Sequence, residues 1–485
     1  MDLRLKCKDC RLLKAVAILS CIYLLGISAI LRANFYYIDD MGRALLGYKN
    51  FDFFGRYIPQ YFTTVLHADS YLTDVSPLPQ LLAVVILAMA AVTVLHVVTG
   101  RSEFTFAEYA STIPLCLSPY FLECLSYKYD SPYMALSILA SVAPVLFYKR
   151  GELWYCVSIL LGMLIVCTSY QPAAGIFPMF VILIAFLKWM DNVPWKPIVR
   201  FVLVSAGGFI AGMLLFAVFL LNPQETYVSN TLPAVSEMIP TTVRHLKHYY
   251  YYVVHDFKLE WLILTGIIFA GFILTSVRVS LQSKWLTFLL GSGVLLAWLC
   301  LSFGIYPVLS DPLYDPRAMY GFGACICFAA IPFMTRPRMF VLKAACIILS
   351  WCFFVFGFTY GNALAVQKDY TDYRIAAVVH DLDELDVMET GDSKVCQLEG
   401  DIGFAPEISH MPQDYEMLNR LVPNTFGYSS SYWRGFRFFM YYGLKNLDWD
   451  TDYDLTEYDL PVLKNSIYHT IYGNDEYILI ELRPY

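Results

Sequence analysis

The sequence predicts an α-helical polytopic membrane protein with a small soluble α+β domain at its C-terminus, and three observations support this fold class. Of the 485 residues, 58% are hydrophobic and only 15% are charged, whereas soluble chains carry roughly 25% charged residues. The apolar runs are long, near the length of about 20 residues with which a helix crosses a hydrocarbon core. The last stretch, 364–485, is instead acidic, with a net charge of −13.

The apolar runs predict eleven membrane spans. The first follows a basic N-terminal segment but lacks a small-residue cleavage site after Leu31, so we expect it to be retained. The predicted spans are 15–31, 79–98, 105–122, 132–148, 153–169, 172–188, 201–221, 259–277, 285–305, 319–334 and 339–363.

The distribution of basic residues predicts the orientation of these spans. With the N-terminus inside, the inner segments hold sixteen Lys and Arg residues and the opposite short loops hold nine, although those loops are longer. The positive-inside rule therefore places the N-terminus in the cytoplasm and the C-terminus outside. Three long outer segments result, namely 32–78, 222–258 and the tail.

The chain accordingly divides into a membrane domain, 1–363, and an outer C-terminal domain, 364–485. The tail begins with a helical pattern from Tyr373 to Leu385, where apolar residues recur with a period near 3.6. The later run from Tyr477 to Leu482 is typical of a buried strand.

Cysteine and histidine patterns predict no metal site. Most of the thirteen cysteines lie in apolar runs, and the tail holds only Cys396, which excludes a disulfide within it. Cys7 and Cys10 have a metal-like spacing without a second ligand pair, and His245, His248 and His255 form no familiar ligand set.

The first outer loop carries the best candidate for chemistry. Asp39 and Asp40 follow the first span within a few residues. A carboxylate at this depth could act as a general base on a sugar hydroxyl. The alternative is an interfacial acidic turn paired with Arg43.

Other outer loops keep polar groups beside apolar surface, where unpaired burial is costly. A shared polar cavity explains this set better than separate surface positions. Arginine holds phosphate with two parallel hydrogen bonds, so three arginines are candidates for a phospholipid headgroup, with ordinary ion pairing as the alternative. The polar candidates are Asp74, Lys128, Asp130, Tyr170 and Gln171, and the arginines are Arg317, Arg43 and Arg56.

The tail contains a dense aromatic stretch, 426–442, around Tyr432, Trp433 and Arg434. Aromatic faces can cover the C–H faces of a sugar, so these three residues are candidates for binding an acceptor. Core packing or docking at the membrane interface is the alternative explanation. The chain has no Walker A or Rossmann glycine pattern before a helix, which argues against a nucleotide-driven pump and a sugar-nucleotide domain.

Several motifs resemble the bacterial serotype-converting O-antigen glucosyltransferases of the Gtr type. They extend from the first outer loop to the tenth span, and each lies in or beside an outer loop. The motifs are Phe35 to Arg43, Phe54-Gly55-Arg56, Leu72 to Gln80, Tyr127 to Ser131, Ser169-Tyr170-Gln171 and Pro316-Arg317.

This resemblance implies a GT-C-like fold with a catalytic carboxylate in the first outer loop, and it places Asp39 and Asp40 at that position. It also implies a bacterial inner-membrane enzyme with a periplasmic C-terminal domain. The implied partners are undecaprenyl-phosphate glucose as donor, lipid-linked O-antigen as acceptor and membrane lipids, with no nucleic acid.

The implied reaction is direct displacement at the periplasmic face, with the arginines stabilising the phosphate charge. No cofactor is predicted, and a divalent metal ion is left open because arginines could neutralise the phosphate without one. The alternative function is a transporter or flippase of a lipid-linked sugar. A transporter is expected to contain inverted repeats and broken helices at the membrane midplane. The sequence shows no repeat, and its polar residues cluster at one face instead of at mid-depth.

Overall fold

The computed structural model of the protein describes residues 2–221, 231–385, 387, 394–423, 442–443, 447–448 and 454–484. Within these ranges the chain is mostly helical, as the sequence predicts, and a small sheet lies near the C-terminus. The predicted acceptor residues Tyr432, Trp433 and Arg434 lie outside the described residues.

Eight helices among the described residues are long and apolar enough to cross a membrane, so the chain is a membrane protein. They coincide with eight of the eleven predicted spans. These helical segments are Leu78–Thr99, Ser131–Arg150, Glu152–Ser169, Gln171–Met190, Trp195–Phe219, Leu259–Val279, Lys284–Leu301 and Phe340–Glu384.

We number the α-helices in chain order. They are α1 (Asp2–Gly26), α2 (Ser28–Ala33), α3 (Asp40–Leu46), α4 (Tyr57–His67), α5 (Leu78–Thr99), α6 (Phe106–Ala110), α7 (Ile113–Cys116), α8 (Pro119–Ser126), α9 (Ser131–Val142), α10 (Glu152–Ser169), α11 (Ile176–Met190), α12 (Trp195–Phe219), α13 (Met238–Asp256), α14 (Leu259–Val279), α15 (Lys284–Leu301), α16 (Gly321–Met334), α17 (Phe340–Glu384), α18 (Met411–Asp414) and α19 (Leu418–Leu421). Short 3₁₀ turns are Asp52–Phe54, Ala143–Arg150, Gln171–Gly175, Tyr306–Val308, Pro316–Ala318, Pro406–Ile408 and Leu455–Glu457.

The predicted span 105–122 is not one helix, because the chain forms the three short helices α6, α7 and α8 there. Pro114 and Pro119 each lie in the first turn of a new helix, where a missing N–H costs nothing. The Ser118 hydroxyl accepts a hydrogen bond from the Phe121 amide at 3.3 Å and begins α8. Proline and capping therefore interrupt a segment whose residues are mostly apolar.

The remaining two predicted spans correspond to shorter or displaced helices. Residues 15–31 are divided between α1 and α2. The span 319–334 is found as α16, a helix of 14 residues that are all buried. The count of eleven therefore stays a prediction.

The chain forms two compact units. The first comprises Met1–Ser28, Asn50–Ser70 and Val75–Phe358, and the second comprises Ala29–Lys49, Tyr71–Asp74 and Thr359–Tyr485. The second unit thus holds two stretches of the first predicted outer loop together with the acidic tail.

In the first unit the long helices pack directly on one another. Helix α5 contacts α1 and α9, α10 contacts α9 and α12, and α14 contacts α15 and α16. At Gly162 a Cβ atom would lie 2.8 Å from the carbonyl oxygen of Ala140, so the missing side chain lets α10 approach α9 closely.

The second unit contains a five-stranded mixed sheet. Its strands are β1 (Lys394–Gly400), β2 (Leu447–Asp448), β3 (Val462–Asn465), β4 (His469–Gly473) and β5 (Tyr477–Leu482), in the spatial order β2-β1-β5-β4-β3. Strand β1 is parallel to β2 and β5, whereas β4 is antiparallel to β3 and β5.

The end of α17 covers this sheet with an apolar face. Ile375, Val378 and Leu382 are buried against Leu398 and Ile480, at the positions that the helical period predicts. The predicted strand at 477–482 is β5. The sequence therefore correctly predicts an α+β fold for this unit.

Candidate active site

The acidic turn after the first span lies in the second unit and begins helix α3. Asp39 is the N-cap residue and Asp40 the first helical residue. Ile38, directly before them, has a φ of +45°. Because a β-branched side chain rarely adopts this conformation, the turn stores backbone strain beside the two carboxylates.

The two aspartates have different environments. Asp40 is fully buried, and its Oδ2 atom accepts a hydrogen bond from the Tyr37 amide at 3.0 Å, which closes the turn. Asp39 is partly exposed. The geometry therefore gives Asp40 a structural contact within the turn and leaves Asp39 accessible from outside the protein.

Tyrosine hydroxyls fix this turn within the second unit. Tyr36 donates a hydrogen bond to the Asp74 carboxylate at 2.8 Å, and Tyr37 donates to the carbonyl of Leu421 at 2.9 Å. Tyr360 on α17 donates to the same carbonyl at 3.3 Å. Arg43 is buried in α3 of the same unit.

A second group of residues meets in the first unit, and we call it the arginine cluster. Four of its members were predicted, namely Arg56, Asp130, Tyr170 and Arg317, and the structure adds Glu123 and Tyr127. Its charged side chains are almost entirely inside the protein, since the two arginines are each 13% exposed and Asp130 is 6% exposed. Such burial is costly unless charges are paired.

Arg56 occupies one side of the arginine cluster. One of its terminal nitrogens lies 3.8 Å from an Asp130 oxygen. Its guanidinium carbon lies 5.0 Å from the centroid of the Tyr170 ring and 5.2 Å from that of Phe54, which are cation–π distances. Gln171 donates a hydrogen bond to the Phe54 carbonyl at 3.4 Å and supports this side.

Arg317 occupies the other side, in the 3₁₀ turn Pro316–Ala318. Its Nη2 atom lies 2.8 Å from the Asp315 carboxylate, and its Nη1 atom donates to the Tyr127 hydroxyl. Burial by itself would lower the pKa of Arg317, but the adjacent Tyr127, Glu123 and Asp315 outweigh that effect and raise it. Arg317 is therefore a permanent buried cation.

Tyr170 lies within electrostatic reach of both arginines. Burial raises the pKa of its hydroxyl, and Arg317 and Arg56 offset only part of that effect, so the hydroxyl stays protonated as a donor. The buried hydroxyl oxygen of Tyr170 has no hydrogen-bond partner among the described residues, and the same holds for Tyr133. A buried donor without a partner is costly in a folded protein and is common at binding sites.

Sequence reasoning missed Glu123 and did not assign Tyr127 to the site. Glu123 lies in the apolar helix α8, and its carboxylate accepts a hydrogen bond from the Arg317 amide at 2.6 Å. An ionisable residue within an apolar run is itself a signal for function, and this signal could have identified it. Lys128, which was predicted for the site, is buried.

The described residues contain no group of three or more His, Cys, Asp or Glu side chains placed to hold a metal ion.

The predicted site residues form two groups, one in each unit. Asp39, Asp40, Arg43 and Asp74 belong to the second unit, and Arg56, Lys128, Asp130, Tyr170, Gln171 and Arg317 to the first.

Long apolar helices with a buried cluster of arginines, carboxylates and tyrosines define a membrane protein with a polar site. Residues 28–328 match the family model described as glucosyl transferase GtrII. The chain belongs to this family, which confirms the resemblance found in the sequence.

A protein of Salmonella phage P22, described as an uncharacterized 55.3 kDa protein in the gtrB 5′ region, is 26% identical over 191 residues. The match covers 38% of this chain and 38% of the phage protein. No solved structure matches the chain significantly.

Proposed function

We propose that the protein transfers glucose from undecaprenyl-phosphate glucose to O-antigen repeat units of lipopolysaccharide at the periplasmic face of the inner membrane. The observation that carries this proposal is the arginine cluster, in which the two buried cations Arg56 and Arg317 both interact electrostatically with Tyr170. Guanidinium groups bind phosphate oxygens strongly where water is excluded. A lipid phosphate is the anion that the family and the apolar surroundings favour.

The proposed reaction is a single displacement. An acceptor hydroxyl attacks the anomeric carbon of the glucosyl group, the bond from that carbon to the phosphate oxygen breaks, and undecaprenyl phosphate leaves. The proton of the hydroxyl passes to a carboxylate. Arg317 and Arg56 stabilise the charge that develops on the leaving phosphate.

Asp39 is the better base of the two aspartates. It is partly exposed at the start of α3, whereas one oxygen of Asp40 is engaged with the Tyr37 amide inside the protein. A base must reach the hydroxyl from which it takes the proton. The positive-inside bias supports placing this turn, and the acidic tail, in the periplasm.

The test is transfer of labelled glucose in liposomes that contain the purified protein, undecaprenyl-phosphate glucose and lipid-linked O-antigen. We expect Asp39→Asn to lower the transfer rate by about 10²- to 10⁴-fold without loss of thermal stability, because general base catalysis contributes that range. Asp40→Asn is expected to lower stability together with activity, since it alters the buried turn.

Asp191→Asn is the control, because Asp191 is exposed and follows the C-terminal end of α11, whereas Tyr170 and Gln171 precede the start of that helix. Transfer by Asp39→Asn at the wild-type rate would remove Asp39 as the base. Movement of the labelled lipid across the bilayer without a glycosylated product would instead support a flippase.

A further inference from the structure

Glu123 is a buried carboxylate on a helix whose other residues are mostly apolar. Its side chain is 3% exposed, and every residue of α8 is buried. A carboxylate in such surroundings costs several kcal/mol unless it is paired and hydrogen-bonded. Its position therefore requires a specific partner.

That partner is Arg317, which Glu123 contacts at two points. The Oε2 atom accepts the backbone N–H of Arg317 at 2.6 Å, and Oε1 lies 3.5 Å from the terminal nitrogen Nη1. One contact fixes the main chain of the 3₁₀ turn and the other orients the side chain. Tyr127, four residues after Glu123 and directly after α8, accepts from the same Nη1 atom, so the C-terminal end of α8 presents both groups.

The two carboxylates beside Arg317 differ in exposure. Asp315 is 46% exposed and contacts Nη2 at 2.8 Å, whereas Glu123 is enclosed. An exposed ion pair contributes only about 0–1 kcal/mol, so an incoming phosphate can displace Asp315 from Nη2. A buried pair is not exchanged in this way, because leaving either charge alone inside the protein is strongly unfavourable.

We propose that Glu123 is the positioning residue for Arg317, and that Asp315 is the exchangeable partner that gives way to the donor phosphate. The proposal rests on the proposed function, in which Arg317 stabilises the leaving phosphate. Glu123 keeps Nη2 directed at the place where Asp315 lies now. The phosphate gains negative charge as the glucosyl bond breaks, so correct positioning acts mainly on the chemical step.

Substitutions of the two carboxylates are therefore expected to change different kinetic constants. Glu123→Gln keeps an oxygen for the Arg317 amide but removes the charge. We expect kcat to fall about 10- to 100-fold with little change in the KM for donor. This is less than the roughly 10²- to 10³-fold cost of removing a transition-state donor, because Arg317 itself remains. Asp315→Asn removes a competitor for Nη2, and we expect a lower KM for donor with a similar kcat. Glu123→Asp, a smaller change, is expected to retain more activity than Glu123→Gln.

A double-mutant cycle separates positioning from general structure. Glu123→Gln and Arg317→Lys are measured singly and together, and we expect the double variant to be little worse than Arg317→Lys, because both changes act through one guanidinium group. Glu108→Gln is the matched control. Glu108 is equally buried, pairs with Arg101 and caps α6 through Thr105, so its loss is expected to lower the melting temperature but leave kcat unchanged.

Wild-type kcat in a folded Glu123→Gln variant, or additive losses in the cycle, would overturn the role of Glu123 while leaving the proposed function intact. Absence of transfer by the wild-type protein would instead contradict the proposed function. In that case, stabilisation of the protein by undecaprenyl phosphate is the second readout, because this leaving group carries the full phosphate charge that the donor develops only as the glucosyl bond breaks. Equal melting-temperature shifts in wild type and Glu123→Gln would overturn the positioning role, and a smaller shift in the variant would support it.

Discussion

Replacing Arg374 with methionine tests what holds the second unit together. Arg374 lies on α17, is 1% exposed and donates to four oxygens. Its Nη2 atom contacts the carbonyls of Tyr468 and Arg483, both at 2.7 Å. Its Nη1 atom contacts the Tyr370 hydroxyl at 2.6 Å and the Ile402 carbonyl at 3.4 Å. One side chain thus ties the helix to three segments around the sheet.

The loss in free energy of unfolding depends on which of the four oxygens keep a hydrogen-bond donor when Arg374 is replaced. The Tyr468 carbonyl still accepts from the Arg483 amide at 2.9 Å, and the Ile402 carbonyl still accepts from Tyr370 at 3.3 Å. Among the described residues, only the Arg483 carbonyl loses its contact, at about 1–3 kcal/mol for an unsatisfied group. The cation–π contact with Tyr468, at 4.7 Å, adds about 1–2 kcal/mol. We therefore expect a loss of about 3 kcal/mol.

Hydrogen–deuterium exchange of the full-length protein in detergent measures this effect. In Arg374→Met, amides of β1, β4 and β5 are expected to exchange faster, whereas those of α10 and α12 are unchanged. Lys368→Met is the control on the same helix, because Lys368 is 36% exposed and its ion pair with Asp372 is long, at 3.8 Å. A loss below about 1 kcal/mol in Arg374→Met, or an equal loss in the control, would refute the reasoning.

Two further predictions concern pH and a close helix contact. Burial lowers the pKa of His469 below its ordinary value of 6.5, despite the Asp381 carboxylate 2.9 Å away. Because the unfolded chain then binds the proton more readily than the folded one, the second unit should lose stability as pH falls below 6.5. Unfolding measured over that pH range should show a smaller loss in His469→Gln. In Gly175→Ala a Cβ atom would lie 2.0 Å from the Leu301 carbonyl oxygen, so the free energy of unfolding should fall by roughly 1–3 kcal/mol, measured by thermal unfolding. Gly207→Ala is the control and should be neutral or stabilising, because nothing lies within 4 Å of its added Cβ atom.

Hydropathy predicts the long helices well because each span must satisfy its own backbone and present apolar side chains to lipid. It fails at 105–122 because the mean hydropathy of a segment does not register proline or a capping serine. Pro114, Ser118 and Pro119 divide that segment into three helices. The effect of these residues is local, and in the sequence it is predicted by the signals for helix ends and not by hydropathy.

The arginine cluster is accessible to sequence reasoning for a different reason. Alternating spans bring every second loop to the same end of a bundle, so Arg56, Asp130, Tyr170 and Arg317 could be grouped before any contact was known. Glu123 lies directly after the predicted span 105–122 but was not selected, and the structure places it in helix α8 instead of a loop. Which charge pairs with which, such as Arg317 with Glu123, depends on side-chain directions that spacing does not determine.

Exposure separates the carboxylates of both units into two kinds. Asp40 and Glu123 are buried and each accepts a backbone N–H, from Tyr37 and Arg317 respectively. Asp39, next to Asp40 in the chain, and Asp315, which pairs with Arg317, are both more exposed. A buried carboxylate with a backbone partner fixes geometry, because moving it would leave both groups unsatisfied. An accessible carboxylate can exchange a proton or a partner with a substrate. On the proposed function, substitutions of Asp40 and Glu123 therefore disturb the positions of the reacting groups. Substitutions of Asp39 and Asp315 change proton transfer or donor affinity directly.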